Sequence, residues 1–176
     1  MVLAIQFGVP GEQGKQFSRA FDDLGKGIKD LREPFDKIGK DLRLGMRKQF
    51  KSEGTHRGTG WRELSPGYAK RKRKRYPGKP ILEATGKMRT ALLNDKHPSN
   101  LNAVRPLWAA FGIQSRELLQ RATWHQLGTR NMPKRKIIAL EETDRRKWGR
   151  IIQTYLLKTV TAAERVAQRD RVQAGG

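Results

Sequence analysis

The apolar positions between residues 17 and 46 recur every three or four residues, which is the period of one face of an α-helix. They are Phe17, Phe21, Leu24, Ile28, Leu31, Phe35, Ile38, Leu42 and Met46. A helix with this stripe is about 45 Å long at ~1.5 Å per residue. Two interpretations are open: the helix packs on its own domain, or the stripe is an interface with other subunits. The second interpretation assigns the interface to Phe17, Phe21, Leu24, Ile28, Leu31, Phe35 and Ile38.

Residues 1–50 are predicted to form an N-terminal strand and this helical arm. Apolar residues alternate over positions 2–9, which predicts a short strand, and Pro10 and Gly11 end it. Pro34 lies within the helical stripe and has no backbone N–H. We therefore expect a kink at Pro34, or a break that places Pro34 in the first turn of a second helix.

Residues 51–80 lack an apolar period and are rich in Gly and turn-forming residues, so the sequence predicts a loop there. This loop carries five consecutive basic residues, flanked by Tyr68 and Tyr76. Such a run is typical of a contact with nucleic acid, and also of a solvated loop or of a dock for an acidic protein. The candidate contact residues are Lys70, Arg71, Lys72, Arg73, Lys74, Arg75 and Lys79.

The rest of the chain predicts a small sheet and a final helix. Residues 81–142 are a sheet region with a short helix that begins after Ser115 and ends near Gly128, with strands expected over 103–113 and 136–140 and a strand or helix over 81–93. Residues 143–169 are predicted to form the C-terminal helix. The fold class expected for residues 1–176 is α+β, as a single domain with a small, mainly antiparallel sheet.

The charge of the chain narrows the choice of partners. Lys and Arg number 38 against 17 Asp and Glu, a net charge of +21, and residues 1–50 contribute only three of these net charges. A surface this positive attracts polyanions, so either nucleic acid or an acidic protein partner would fit. Only 36% of the residues are hydrophobic, which indicates a thin core that partner chains could help to bury.

The residue types that carry catalysis or bind metals are sparse. The chain has no Cys, its three histidines are scattered away from metal-ligand spacing, and no pair of carboxylates suggests acid–base chemistry. The stretch from Val9 to Gln16 resembles a phosphate-binding loop only in outline, because Val9 and Gln16 replace the required Gly and Ser or Thr. We expect no enzyme activity, no metal, no cofactor, no secretory signal and no membrane span.

Several short motifs follow one another in an informative order. A helix ending in Phe50 leads to Gly60–Lys74, then to PILEATGKMRTAL (80–92) and to WHQLGTRNMPKRKIIAL (124–140). In this order and spacing the chain resembles the phage virion morphogenesis family, the tail completion proteins of tailed bacteriophages, including Mu-like and lambda-like phages. The positions that carry the resemblance include Trp61, Leu64, Leu82, Gly86, His125, Gly128, Thr129, Pro133 and Arg135.

The resemblance implies a structural role rather than a catalytic one. Such proteins sit at the head–tail junction of the virion, after synthesis in the bacterial cytoplasm. There they form a homo-oligomeric ring around the DNA channel and contact other neck and tail proteins, such as the connector and the tail terminator. Non-specific contact with phage DNA is a secondary hypothesis. The alternative is a sequence-independent nucleic-acid-binding protein that acts outside the particle.

The basic run offers a direct test of its predicted position on a peripheral loop. Replacing Arg71, Lys72, Arg73, Lys74 and Arg75 with Ser is expected to leave the fold intact while impairing assembly or DNA retention.

Overall fold

The structure of the protein, a computed structural model, describes residues 4–8 and 30–174. The fold is α+β, as predicted. In chain order the elements are β1 (Ala4–Gly8), α1 (Arg32–Lys51), a 3-10 turn (Thr55–Arg57), α2 (Pro66–Arg75), α3 (Lys87–Leu93), β2 (Asn100–Val104), β3 (Trp108–Ile113), α4 (Arg116–Leu127) and α5 (Glu142–Ala174). Strands β2 and β3 form an antiparallel hairpin, and the order in the sheet is β1–β3–β2.

The chain divides into two compact units. Among the described residues, the first comprises residues 4–5, Gly39–Ala103 and Ala110–Glu141, and the second comprises residues 6–8, 30–38, Val104–Ala109 and residues 142–174. Two compact units can belong to one cooperative domain, so the single domain expected for residues 1–176 stays a prediction. All the candidate contact residues and motif positions named above belong to the first unit.

Helix α1 begins two residues before Pro34, which therefore occupies its first turn. A proline is tolerated there because its missing N–H would have had no partner inside the helix. The Asp30 carboxylate caps this end, since its Oδ1 accepts a hydrogen bond from the Arg32 N–H at 2.9 Å. This geometry matches the second helix that the sequence predicts after a break near Pro34.

The apolar stripe is buried within the chain itself wherever the structure describes it. In the second unit, Leu31, Phe35 and Ile38 are 5%, 3% and 0% exposed. These three residues are therefore buried within the chain, and their assignment to a subunit interface stays a prediction. The other four predicted interface residues, Phe17, Phe21, Leu24 and Ile28, lie outside the described residues.

The continuation of the stripe builds the core of the first unit, where Leu42, Met46 and Phe50 are buried. A close approach of helix to sheet is fixed by Gly39, because a Cβ placed there would lie 2.5 Å from the Phe111 ring. The remaining buried apolar residues of this unit are Trp61, Met88, Ala91, Leu92, Phe111, Ile113, Leu118, Ala122 and Ile137.

The region 51–80 is not the irregular loop that the sequence predicts, because helix α2 occupies Pro66–Arg75. Lys and Arg are good helix formers, and Pro66 at the first helical position fits its fixed backbone angle. The helix lacks an apolar stripe, so the periodic signal on which the prediction relied was absent. The predicted basic loop is thus a basic helix, followed by a turn through Pro77 and Gly78.

The sheet region also differs from its prediction in detail. Residues 103–113 are not one strand, because Pro106 lies in the turn of the β2–β3 hairpin, where the Arg105 N–H donates to the Trp108 carbonyl at 2.8 Å. Residues 87–93 form helix α3 and residues 116–127 form helix α4, which ends at Gly128 as predicted. The C-terminal helix α5 is also present, and it is longer than the predicted 143–169.

Among the helices of the described residues, none combines the length and the apolar character needed to cross a lipid bilayer.

Candidate functional site

The five consecutive basic residues of helix α2 do not share one environment. Lys72 is buried, at 7% exposed, and its Nζ donates to the Lys79 carbonyl at 3.0 Å and to the Pro80 carbonyl. The chain after the helix therefore folds back over the Lys72 ammonium. Lys72 differs in this respect from the exposed cations of the run, because its ammonium group already binds backbone carbonyls of its own chain. Its contact with DNA or an acidic partner stays a prediction.

The remaining candidate contact residues are exposed: Lys70, Arg71, Arg73, Lys74, Arg75 and Lys79. None of them forms an ion pair with a carboxylate in the described part of the chain. The Arg75 guanidinium lies 5.5 Å from the centre of the Tyr76 ring, a cation–π contact that occupies one of the two tyrosines flanking the run. We call Lys70, Arg73, Lys74 and Arg75 the outer basic face.

A second buried basic residue, Arg135, ties the motif segments together. It is 3% exposed. Its Nε donates to the Arg62 carbonyl at 2.8 Å, and its Nη2 donates to the Glu63 carbonyl at 3.0 Å. Its backbone N–H donates to the His125 carbonyl at 2.7 Å. One side chain thus joins the segment before α2 to the segment after α4.

Trp61 anchors the start of the same segment. Its indole Nε1 donates to the Lys136 carbonyl at 2.9 Å, and its ring meets Phe50 edge-on with the ring centres 5.5 Å apart. Gly54 makes this packing possible, because it has a φ of +93° and a Cβ there would lie 2.5 Å from the indole ring. The motif tryptophan is therefore part of the core.

Side chains, rather than another strand, hold the backbone of residues 136–140. The Gln126 Oε1 accepts from the N–H groups of Ile137 and Ile138 at 2.8 and 3.0 Å, and its Nε2 donates to the Ile138 carbonyl at 2.7 Å. The Lys136 carbonyl accepts hydrogen bonds from the Trp61 indole and from the Gln49 Nε2, the second at 3.1 Å. The predicted strand over 136–140 is wrong because the Gln126 amide takes the place of a neighbouring strand.

The turn between α4 and this segment explains the other motif positions. Gly128 has a φ of +77°, and a Cβ there would lie 3.0 Å from the Lys134 nitrogen. Thr129 and Met132 then pair through both backbone hydrogen bonds, at 2.8 and 3.2 Å. This tight turn directs Pro133 and Arg135 back towards α2.

Six of the nine motif positions line one cleft in the first unit: Leu64, Leu82, Gly86, His125, Pro133 and Arg135. The cleft has a volume of about 540 Å³. Helix α2 contributes Tyr68, Arg71 and Lys72 to its wall, and helix α4 contributes Leu118 and Arg121. The cleft was not evident in the sequence, because its residues come from four separate segments.

Burial shapes the electrostatics of the cleft. It lowers the pKa of Lys72 and of Arg135, because a charged group loses hydration there. The pKa of His125 falls to about 4, first because the ring is buried and second because Arg135 is nearby. His125 is therefore neutral at pH 7, and its Nδ1 has no hydrogen-bond partner among the described residues.

The described residues contain no group of three or more His, Asp or Glu side chains placed to hold a metal ion. The fold and the cleft together define a strongly basic α+β protein with a cleft that is both cationic and apolar.

The comparison with known families agrees with the motif order. The sequence matches the phage virion morphogenesis family over residues 12–157. This match covers most of the chain, so the protein belongs to the phage virion morphogenesis family. It is a bacteriophage protein with a role in building the virion, as the resemblance implied. No individual curated protein and no solved structure shows a significant match.

Proposed function

We propose that this chain is a structural subunit of the phage neck, which assembles as a homo-oligomeric ring around the DNA channel at the head–tail junction. In this position it finishes the tail or joins it to the head, through contacts with the connector and the tail terminator. The observation that carries the proposal is the family match over residues 12–157.

The distribution of charge supports a place next to DNA or to acidic proteins. The outer basic face offers four exposed cations without carboxylate partners in the described residues, on a helix that holds them in a fixed arrangement. Cations of this kind bind phosphate backbones without reading sequence, because the counterions released from the DNA drive the association. Lys72 is not part of this surface.

The oligomeric state of the purified protein tests the ring directly. Size-exclusion chromatography with light scattering is expected to show a closed oligomer, and negative-stain images are expected to show rings. Head-to-tail contacts between identical subunits close in this way when the rotation between neighbours divides a full turn. A protein that stays strictly monomeric, alone and in the presence of its neck partners, would contradict the proposal.

The outer basic face also favours a second candidate, a sequence-independent nucleic-acid-binding protein that acts outside the particle. This candidate predicts DNA affinity with a log–log salt slope of roughly −0.9 per phosphate neutralised. It also predicts that the protein is absent from purified virions. Undetectable binding to DNA at low salt would eliminate it.

A further inference from the structure

We propose that the cleft between α2, α3 and α4 binds an acidic segment of a partner protein, with an apolar side chain on its floor and a neighbouring carboxylate on its cationic wall. This inference rests on the proposed function in one respect, namely that the partner is another virion protein.

The floor of the cleft is apolar and large enough for a side chain. Its apolar residues are Leu64, Leu82, Ala84, Met88, Leu118, Met132 and Pro133. A cleft of about 540 Å³ lies within the usual range for small-ligand pockets, roughly 300–1,000 Å³. Burial of one Leu-sized side chain there would remove apolar surface from water on both partners.

The wall of the cleft carries more positive than negative groups, because Arg71, Lys72, Arg121 and Arg135 line it together with only Glu63 and Glu83. Lys72 and Arg135 donate to carbonyl oxygens, which satisfy their N–H groups but leave their full charges in place. Glu83 also lines the cleft, but it lies 3.3 Å from the Arg89 guanidinium. Glu53 and Glu83 act to raise the pKa of Lys72, but burial lowers it by more. A bound anion would therefore stabilise the buried cations further.

Donor groups remain for such an anion. Within the described residues, the Nη1 of Arg135 has no acceptor, and the exposed Arg71 guanidinium has none at all. Arg121 lies across the cleft on α4, where its ion pair with Glu117 at 2.6 Å is exposed to solvent. A guanidinium suits a carboxylate well, because its planar fork can donate two parallel hydrogen bonds.

The combination favours a protein segment over DNA. The phosphate backbone of DNA would place charged groups and sugars against the apolar floor. The outer basic face has no such constraint, so DNA has a better surface on the same helix. An acidic peptide with an apolar residue satisfies both the floor and the wall.

The methionines provide a spectroscopic test. Of the four in the chain, Met88 and Met132 line the cleft and Met46 is buried in the core away from it. The full-length protein, labelled with ¹³C at the Met methyls, is titrated with a synthetic Asp-Asp-Leu-Asp-Asp peptide. We expect the Met88 and Met132 methyl signals to shift while Met46 stays unchanged.

Two matched peptides separate the contributions of floor and wall. An Asn-Asn-Leu-Asn-Asn peptide removes the carboxylates, and an Asp-Asp-Gly-Asp-Asp peptide removes the apolar side chain. Both are expected to bind at least about fivefold more weakly, because each lacks one of the two complementary parts. Equal affinity for all three peptides would overturn the proposal.

A matched pair of variants tests the location. Arg71→Gln removes one charge from the cleft wall, whereas Arg116→Gln removes the same charge from the exposed start of α4, outside the cleft. We expect Arg71→Gln to weaken binding of the acidic peptide by about fivefold or more and Arg116→Gln to change it by less than about twofold. Equal effects would indicate non-specific attraction and would contradict the proposal.

A single-stranded oligothymidylate is the last probe. It is expected to bind without shifting the Met88 and Met132 signals, and shifts of these signals that match those from the peptide would reassign the cleft to nucleic acid. Each measurement uses the isolated protein and does not depend on its position in the virion. A failure of peptide binding would therefore leave the proposed neck position untouched, and a failure of the neck proposal would leave peptide binding untouched.

Discussion

On helix α2, the Lys72 side chain points towards the carbonyls of residues 79 and 80. Lys74, two residues later, is exposed to solvent and has no carboxylate partner among the described residues. The two side chains have the same charge, length and intrinsic helix propensity. What differs is the set of acceptors within reach. The inward cation stabilises the fold of its own chain, and the outward cation is available to a partner.

The same contrast separates Arg135 from Arg130, which lies five residues earlier. Arg135 is buried and holds two carbonyls of the segment before α2, while Arg130 is exposed in the turn after α4. The cations of this chain therefore fall into two groups, a buried group that binds backbone carbonyls and an exposed group that is accessible to the phosphates of DNA. Substitution of one residue of each pair at a time tests this distinction.

The largest effect is expected at Arg135. Arg135→Leu removes both hydrogen bonds to the Arg62 and Glu63 carbonyls and should lower the free energy of unfolding by about 2–4 kcal/mol. Urea denaturation followed by tryptophan fluorescence measures this loss. Arg130→Leu is the control and should stay within about 0.5 kcal/mol of the parent protein. Similar losses in both variants would contradict the structural role of Arg135.

The next effect is a pH dependence centred on His125. The unfolded chain protonates this ring near pH 6.5, whereas the folded chain resists protonation until about pH 4. The free energy of unfolding should therefore fall as the pH is lowered from 6.5 to 4, by at most about 2 kcal/mol after allowance for solvent screening.

His125→Gln removes this ionisation and should flatten the pH dependence between 6.5 and 4, although its stability at neutral pH can differ from that of the parent. The control is His56→Gln, at an exposed position in the 3-10 turn. Denaturation curves at closely spaced pH values compare the two variants. An unchanged slope in His125→Gln would show that the ring is not held neutral by the fold.

A smaller difference is expected between Lys72→Met and Lys74→Met, which keep most of the apolar stem and remove only the ammonium group. Lys72→Met should cost about 1–2 kcal/mol, because the Lys79 and Pro80 carbonyls lose their donor. Lys74→Met should change stability by less than about 0.5 kcal/mol. Thermal unfolding measures both, and equal values would remove the distinction between the two faces.

The smallest effect on stability is expected for the outer basic face. The triple variant Arg73→Gln, Lys74→Gln, Arg75→Gln should unfold within about 0.5 kcal/mol of the parent protein. If the outer basic face contacts DNA, the magnitude of its log–log salt slope should fall by up to about 2.7 in this variant. A loss of folding here would show that the outer basic face is structural, like Lys72.

The difference between the buried Lys72 and the exposed cations also changes the result expected when all five residues 71–75 are replaced by Ser. That variant would remove Lys72 together with the exposed cations, so a folding defect and a binding defect would appear together. The triple variant and Lys72→Met separate the two.

The periodic parts of the fold could be predicted from the sequence. The stripe from Leu31 to Met46 identified helix α1, and Ser115 and Gly128 marked the ends of helix α4. Helix α2 could not be found in this way, because its inward position is filled by Lys72 rather than by an apolar residue. A long Lys stem can cover apolar surface while its ammonium reaches polar acceptors, so charge alone did not reveal burial.

The cleft could not be predicted from the sequence, because it is formed by long-range contacts that the spacing of apolar residues does not indicate. The motif order placed Leu64, Gly86 and Arg135 in one family pattern, but only the structure brings them to one cavity. The segment 136–140 has the composition of a strand, yet the Gln126 side chain binds its backbone. Long-range hydrogen bonds from side chains to backbone carbonyls decide these regions, and the sequence alone does not say which carbonyls are near.

The protein composition of purified virions tests the central claim most directly. Quantitative mass spectrometry of particles treated with nuclease and washed at high salt should detect this chain at a fixed number of copies per particle, as a ring at the neck requires. Absence of the chain from such virions, with DNA binding retained by the isolated protein, would contradict the account and favour a role outside the particle.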